Sequence, residues 1–240
     1  DELALVMFPG VQYYTGQFFN IKEITKAAHK AGSRAGFDLA HTVGNIPLTL
    51  HEDEADFAVW CSYKYLNSGP GGVGGLFVHS NNAQDKKLPR LSGWWGHEAD
   101  GRFKMDNSIN PIPTVDGWQL SNINILSHAS HLASLSLFEE AGINQLREKS
   151  IKLTDFLEEL ISKSTILTGQ IKLITPSESN ERGAQLSLFL TQLGKGVFER
   201  IVEQGVILDW REPNVIRVAP VPLYNSFQDV YEFVQLLESA

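Results

Sequence analysis

Two short apolar runs in the first third of the chain each lead into a side chain that can do chemistry. The run at residues 35–39 contains Asp38 near its end, and Lys64 follows the run Phe57–Cys61. Short continuous apolar runs are typical of strands buried in a parallel sheet. Ligands of open α/β sheets bind beyond the carboxyl ends of such strands. The sequence therefore predicts an α/β fold in which Asp38 and Lys64 face a ligand at the sheet edge.

The pattern around these runs alternates strand and helix. Asn20 and Glu23 have the spacing of a helix N-terminus, and Gly32 ends that helix. The apolar run at residues 3–8 begins almost at residue 1 and is typical of a strand buried on both faces. Because such a strand needs neighbours, we expect that part of its domain precedes residue 1.

The second half of the chain predicts a different arrangement, and we place a domain boundary near residue 140. Residues 1–140 form a partial large α/β domain, and residues 141–240 form a smaller α+β domain. Its expected elements, after a helix at 127–141, are a helix at 144–162, strands at 171–174 and 185–190, a helix at 195–204, strands at 206–208 and 215–218, and a helix at 226–238.

Composition excludes several classes of function. The 240 residues carry a formal charge of −8, which disfavours a nucleic-acid partner because phosphate binding needs a basic surface. The single cysteine, Cys61, excludes an internal disulfide and favours a reducing compartment. No apolar run approaches the roughly 20 residues that span a bilayer. The seven histidines show no metal-ligand spacing. We expect a cytoplasmic protein without a metal.

Asp38, Lys64 and the glycine-rich segment at 69–75 together match the needs of pyridoxal phosphate. An acid keeps the ring nitrogen of that cofactor protonated, an amine binds its aldehyde covalently, and small residues let the backbone approach it. The alternatives are a solvated lysine and an aspartate that caps the next helix. A nucleotide-binding loop is disfavoured because no Gly-Lys-Ser/Thr follows the glycines.

Five ordered blocks of sequence resemble one family, kynureninase, a fold-type-I pyridoxal-phosphate hydrolase. They are residues 38–41, 60–67, 93–98, 102–107 and 216–220. The resemblance implies the fold-type-I, PLP-dependent transferase-like fold. Kynureninases also carry a longer N-terminal part, which agrees with an N-terminally incomplete large domain here.

The resemblance implies a role for each residue of the first two blocks. Lys64 would bind the cofactor covalently, and Asp38 would hold the pyridinium nitrogen. His41 would lie beside the cofactor, where an ordinary core histidine is the alternative. The Tyr63 hydroxyl would bind the cofactor phosphate and carry protons during cleavage.

Later residues would complete the site. By resemblance, Trp94 and Asn122 approach the cofactor from the partner subunit of a homodimer, and Ser121 and Asn122 lie near the aromatic ring of the substrate. A plain hydrophobic plug is the alternative for Trp94. Arg217 lies in a short apolar strand, where an unpaired guanidinium would be costly. It would bind the substrate α-carboxylate as a bidentate fork, or else form a structural ion pair with a nearby acid.

The activity implied by the resemblance is hydrolysis of L-kynurenine or 3-hydroxy-L-kynurenine to anthranilate or 3-hydroxyanthranilate and L-alanine. Another fold-type-I enzyme, such as a cysteine desulfurase or an aminotransferase, is the nearest alternative. A desulfurase needs a reactive cysteine on a mobile loop, whereas Cys61 lies in a predicted strand. A non-catalytic fragment is the other alternative.

Overall fold

The computed structural model describes residues 2–105 and 107–240, so Asp106 of the fourth family-like block lies outside the described residues. The chain divides into two compact units. Unit 1 comprises Asp1–Gly10, Asn20–Val43 and Leu48–Ser136, and unit 2 comprises Val11–Phe19, Gly44–Pro47 and Leu137–Ala240. The sequence assigned the two short segments of unit 2 to the first domain, whereas they pack with the C-terminal part.

Unit 1 is built on a four-stranded sheet with the strand order β1-β2-β3-β4. Strands β1 (Leu5–Pro9), β2 (Arg34–Asp38) and β3 (Phe57–Cys61) run parallel, and β4 (Gly74–Val78) runs antiparallel to β3. The parallel core of this sheet agrees with the predicted α/β pattern. Its alternating helix, α1 (Ile21–Lys30), connects β1 to β2.

The predicted start of α1 is confirmed by its cap. The Asn20 side chain accepts a hydrogen bond from the Glu23 backbone N–H at 3.1 Å. Gly32 ends the helix with φ +75°, a left-handed conformation that glycine adopts without steric cost. Two further helices are the single turn α2 (Ser80–Ala83) of unit 1 and the long α3 (Ile125–Ala141), which belongs to unit 1 up to Ser136 and to unit 2 from Leu137.

Within the described residues the first strand is not buried on both faces, and its expected burial against a preceding part of the domain stays a prediction. Leu5 and Met7 of β1 are 44% and 47% exposed. The strand order gives the reason, because β1 lies at the edge of the described sheet and pairs only with β2 there. Central burial belongs instead to β2 and β3, where Phe37 and Ala58 are fully enclosed.

Unit 2 contains an antiparallel sheet with the strand order β5-β6-β8-β7. Its strands are β5 (Ile171–Leu173), β6 (Leu186–Leu190), β7 (Asp209–Arg211) and β8 (Val215–Val218). Three helices accompany this sheet: α4 (Ile143–Lys163), α5 (Lys195–Glu203) and α6 (Phe227–Ser239). Their apolar faces share one buried cluster with the sheet that includes Leu153, Leu157, Leu186, Leu188, Leu190, Ile201, Ile216 and Val234.

The strand predicted at 206–208 is wrong, because the strand lies at Asp209–Arg211. The apolar run Val206-Ile207-Leu208 favoured the earlier position, yet Ile207 is fully exposed. Pairing decides the register, since Trp210 lies opposite Ile216 across the turn that joins β7 to β8. In the described ranges, none of the helices has both the length and the apolar character of a membrane span.

Candidate functional site

Asp38 and Lys64 lie at the same edge of the unit 1 sheet. Asp38 is the last residue of β2, and its neighbour across the parallel ladder is Val59 of β3. Strand β3 ends at Cys61, and Lys64 follows three residues later. Because β2 and β3 run parallel, the turn that carries Lys64 leaves the sheet at the edge where Asp38 stands.

The Lys64 amine is held by a histidine from the turn that follows β2. Lys64 Nζ lies 3.2 Å from His41 Nε2, so the amine donates to a ring nitrogen that carries a lone pair. The His41 ring is itself oriented edge-on to the Tyr65 ring, with centroids 6.3 Å apart. The amine is therefore half-buried and positioned, unlike the solvated lysine that was the alternative.

The Asp38 carboxylate is exposed at this edge and only partly engaged. Its Oδ1 accepts a hydrogen bond from the backbone N–H of Ala40 at 2.9 Å, which fixes the turn that leads to His41. A carboxylate has room for further donors, since each oxygen carries two lone pairs. The arrangement can accept a hydrogen bond from a protonated ring nitrogen.

The Tyr63 side chain is exposed next to the lysine. Lys64 Nζ lies 6.0 Å from the centre of the Tyr63 ring. Contact with Cys61 raises the pKa of the Tyr63 phenol above its ordinary value of 10.0. The phenol therefore keeps its proton at neutral pH and can donate it. Sequence reasoning missed this contact, although residues two apart at a strand end lie on one side of the chain.

The glycine-rich segment folds back tightly between Lys64 and β4. Gly69 and Gly71 adopt φ of +85° and +73°, and a Cβ on Gly72 would lie 2.1 Å from Ser68 Oγ. The Ser68 hydroxyl in turn bonds the buried Ser62 hydroxyl at 2.6 Å. The absence of a side chain at these glycines thus allows the loop to pack closely against the residues just before Lys64.

Trp94, Ser121 and Asn122 lie in the loop-rich part of unit 1. Trp94 opens a 3₁₀ turn, is largely exposed, and packs edge-on against Phe103 with centroids 5.4 Å apart. Ser121 and Asn122 are exposed in the segment that leads into α3. Within the described part of the chain, no hydrogen bond joins these three side chains to Lys64 or Asp38. This structure does not bring them together with the lysine.

Arg217 belongs to β8 in unit 2 and pairs with an acid across the hairpin. Its Nη2 donates to Asp209 Oδ2, and its Nη1 donates to the backbone carbonyl of Tyr13 at 2.6 Å. Asp209 also forms an ion pair with Arg211, with its Oδ2 3.0 Å from Arg211 Nη2. This ion pair is the alternative that the sequence left open. Sequence reasoning missed Asp209 and Arg211 because it placed β7 too early.

The fold is similar to those of solved pyridoxal-phosphate enzymes and cysteine desulfurases. The apo cysteine desulfurase from Thermococcus onnurineus NA1 superposes with a TM-score of 0.78 at 17% identity, over 98% of this chain and 59% of that one. A C-DES mutant with glycine covalently linked to its PLP cofactor gives a TM-score of 0.80 at 19% identity, over 98% and 60%. The predicted class, the fold of fold-type-I pyridoxal-phosphate enzymes, is confirmed.

Sequence comparisons show similarity to kynureninases. Residues 146–237 match the family model described as the kynureninase C-terminal domain. The chain is 52% identical over 239 residues to the kynureninase of Flavobacterium psychrophilum, covering 99% of this chain and 56% of the relative. The kynureninase of Xanthomonas euvesicatoria pv. vesicatoria gives 52% over 240 residues, again covering 56% of its length. The resemblance to kynureninases is confirmed, and the chain spans little more than half of these relatives.

Proposed function

We propose that this chain serves the pyridoxal-phosphate-dependent hydrolysis of L-kynurenine or 3-hydroxy-L-kynurenine. The products would be anthranilate or 3-hydroxyanthranilate and L-alanine. The observation that carries the proposal is the identity of about half of all positions with kynureninases over 99% of the chain. The geometry of the Lys64 edge supports it independently.

The residues at this edge fit the cofactor chemically. Lys64 offers an amine for the aldehyde, and Asp38 offers a carboxylate for the ring nitrogen. The exposed Tyr63 phenol can donate a hydrogen bond to the phosphate. When bound, pyridoxal phosphate supplies an electron sink for the carbon atoms next to the substrate amine. Side chains of the protein would bind the cofactor and transfer the protons.

Lys64 would hold the cofactor and, once the substrate amine takes its place, remove the α-proton of the substrate. An amine that removes a proton must first be neutral and correctly aimed. The 3.2 Å contact with His41 Nε2 supports such an aim because it limits where the amine can point. Asp38 would keep the ring nitrogen cationic by placing a negative charge beside it.

Tyr63 would act as a proton donor during carbon–carbon cleavage. Its position supports this role, because the exposed phenol lies beside Lys64 and is protonated at neutral pH, so it is available as a general acid. Tyr63→Phe should therefore lower kcat by about 100-fold, within the usual range for loss of a general acid, while leaving cofactor capture intact.

Substrate selection would rest on Arg217, Ser121 and Asn122. A guanidinium recognises a carboxylate through two parallel hydrogen bonds, which supports Arg217 as the group that binds the α-carboxylate. Trp94 and Asn122 would act from the partner subunit of a homodimer with shared active sites. Their exposure in unit 1 supports that arrangement. We also propose a cytoplasmic location, which a single cysteine favours.

The test begins with cofactor capture, which does not depend on turnover. The chain is incubated with pyridoxal phosphate and reduced with borohydride, and the labelled peptide is identified by mass spectrometry. We expect the label on Lys64 and none on the matched variant Lys64→Arg, which keeps the charge. A label spread over surface lysines would contradict the proposal and support a non-catalytic fragment.

The second arm identifies the reaction. L-Kynurenine and L-cysteine are supplied separately to the loaded protein. We expect anthranilate fluorescence from the first and no sulfide from the second. Sulfide release without anthranilate would instead assign the chain to the cysteine desulfurases.

A further inference from the structure

Arg217 shares its carboxylate partner with a second arginine. Asp209 and Arg217 are directly opposed across the β7–β8 ladder, and Arg211 lies two residues after Asp209 on the same face. Asp209 Oδ2 accepts a hydrogen bond from Arg217 Nη2 and forms an ion pair with Arg211 Nη2 at 3.0 Å. The hairpin therefore gathers two cations around one anion.

The three groups differ in their exposure to water. The side chain of Arg217 is 12% exposed, whereas those of Asp209 and Arg211 are 42% and 44% exposed. Arg217 is also fixed from behind, because its Nη1 donates to the Tyr13 carbonyl at 2.6 Å. The buried guanidinium is thus the fixed member, and the carboxylate and the second guanidinium can move into solvent.

The charge balance favours an exchange of carboxylates. Two guanidinium groups and one carboxylate leave one positive charge at the cluster. The next acid along the hairpin, Glu212, accepts from Trp210 Nε1 at 2.9 Å and is engaged elsewhere. An incoming carboxylate would complete the balance. If Asp209 turned towards Arg211 at that moment, no charge would be left buried without a partner.

We propose that Asp209 is a resident carboxylate that occupies Arg217 until the α-carboxylate of an amino acid replaces it, and that Arg211 holds Asp209 once it is displaced. This inference rests on the proposed function, since it assumes that Arg217 binds the substrate carboxylate. It makes Asp209 a positioning residue that sets the affinity for the substrate. Binding is weakened by the free energy needed to separate Asp209 from Arg217.

The exchange predicts opposite effects for two substitutions. Asp209→Asn removes the competing anion, so the affinity of the site for a carboxylate should rise about fivefold, as expected for the loss of one partly exposed ion pair. Arg211→Gln removes the group that receives Asp209, so Asp209 should stay on Arg217 and the affinity should fall several-fold. If the ion pair were purely structural, the two substitutions would not change the affinity for a carboxylate in opposite directions.

The test measures the accessibility of Arg217 directly and needs neither cofactor nor turnover. The full chain is treated with phenylglyoxal, which modifies arginine, and the Arg217 peptide is quantified by mass spectrometry. L-Kynurenine is added over a concentration range to find the concentration that halves the modification. L-Alaninamide, which lacks the carboxylate, serves as the control ligand and should give no protection.

We expect Asp209→Asn to speed modification of Arg217 and to lower the half-protecting concentration of L-kynurenine about fivefold, with Arg211→Gln shifting it the other way. Glu212→Gln is the matched control, because it removes another acid of the same hairpin and should change nothing. Thermal unfolding checks that each variant folds. If Asp209→Asn does not fold, Arg211→Gln alone tests the inference.

An unchanged or higher half-protecting concentration in Asp209→Asn, or shifts of the same sign in both variants, would overturn the inference. Its failure is distinguishable from failure of the proposed function. Cofactor capture at Lys64 with normal anthranilate release would leave the function standing while the exchange is discarded. Loss of the Lys64 label would discard the function without any change in the Arg217 measurement.

Discussion

The two units of the chain bury their apolar residues to very different degrees. In unit 2, Leu186, Leu188 and Leu190 of β6 are fully enclosed within the cluster formed by the sheet and its three helices. In unit 1, β1 exposes Leu5 and Met7, and the 17-residue helix α3 buries only Ser134 among its described residues. Unit 2 has a closed core, and unit 1 has an open one.

The closed core and the proposed cofactor-binding groups therefore lie in different units. The groups proposed to hold the cofactor all lie in unit 1, which also exposes large apolar side chains, including Trp94, Phe103, Leu126 and Leu132. Large exposed apolar patches mark protein interfaces. Unit 2 buries its apolar residues within its own sheet and helices, whereas unit 1 leaves large apolar side chains exposed within this chain.

The largest effect should come from the closed core. Leu188→Ala removes a fully buried side chain from β6 and should lower the free energy of unfolding by about 3 to 4 kcal/mol. Leu5→Ala, on the exposed edge strand of unit 1, should cost less than about 1 kcal/mol. Urea unfolding measures both. Equal losses would mean that β1 is covered in solution and that the contrast between the units is wrong.

The accuracy of the predictions made from the sequence does not follow the division into units. The bounds of β3 and β8 were predicted correctly because apolar runs between turn residues define them. The position of β7 was not, since it depends on how this strand pairs with β8. Periodicity within one segment carries no information about its neighbours.

The candidate site shows the same limit. Asp38 and Lys64 were placed at one sheet edge because strand ends are local features. The contact between His41 and Lys64 depends on the shape of the turn after β2, which Asp38 fixes through the Ala40 N–H. The pairing of Arg217 with Asp209 depends on hairpin register. Local patterns found the chemical groups, and only three-dimensional pairing found their partners.

The second effect concerns the buried arginine of unit 2. Arg182 is 1% exposed and pairs with Asp155 at 2.8 Å and with Glu158. Arg182→Met should cost about 2 to 3 kcal/mol, below the usual range for breaking a buried pair because both acids reach water. Lys163→Met, which breaks the exposed pair with Glu159, should cost less than about 0.5 kcal/mol. A neutral result for Arg182→Met would show that apolar burial alone closes this unit.

The third effect tests the polar core of unit 1. Burial by itself would raise the pKa of the Asp56 carboxyl, but hydrogen bonds from the Ala35 N–H, Asn82 and His29 hold it below its ordinary value of 3.8. Because the pKa is lowered by folding, Asp56 stabilises the folded state above about pH 3.8 and loses that effect as pH falls through the folded-state pKa. Asp56→Asn should cost about 2 kcal/mol at pH 7.

The pH profile distinguishes this explanation from simple loss of packing. The cost of Asp56→Asn, measured by chemical unfolding, should shrink as pH falls from 3.8 through the lower folded-state pKa, because the wild-type carboxyl then becomes neutral as well. Glu52→Gln changes an exposed acid of the preceding turn and should leave the profile unaltered. A cost for Asp56→Asn that stays constant with pH would show that the charge of Asp56 contributes nothing.

The smallest effect compares one helix cap in each unit. Ser226 and Asp229 form a reciprocal capping box at the start of α6, and Asn20 caps α1 through the Glu23 N–H. Ser226→Ala and Asn20→Ala should each cost about 1 kcal/mol, because both leave backbone donors without an acceptor. Ser239→Ala, at the far end of α6, is the control. Similar costs for the two caps would show that local helix signals are equally strong in both units and that core burial alone separates them. A much smaller cost for Asn20→Ala would mean that the first helix of unit 1 already frays, so that the difference between the units extends from core packing to secondary structure.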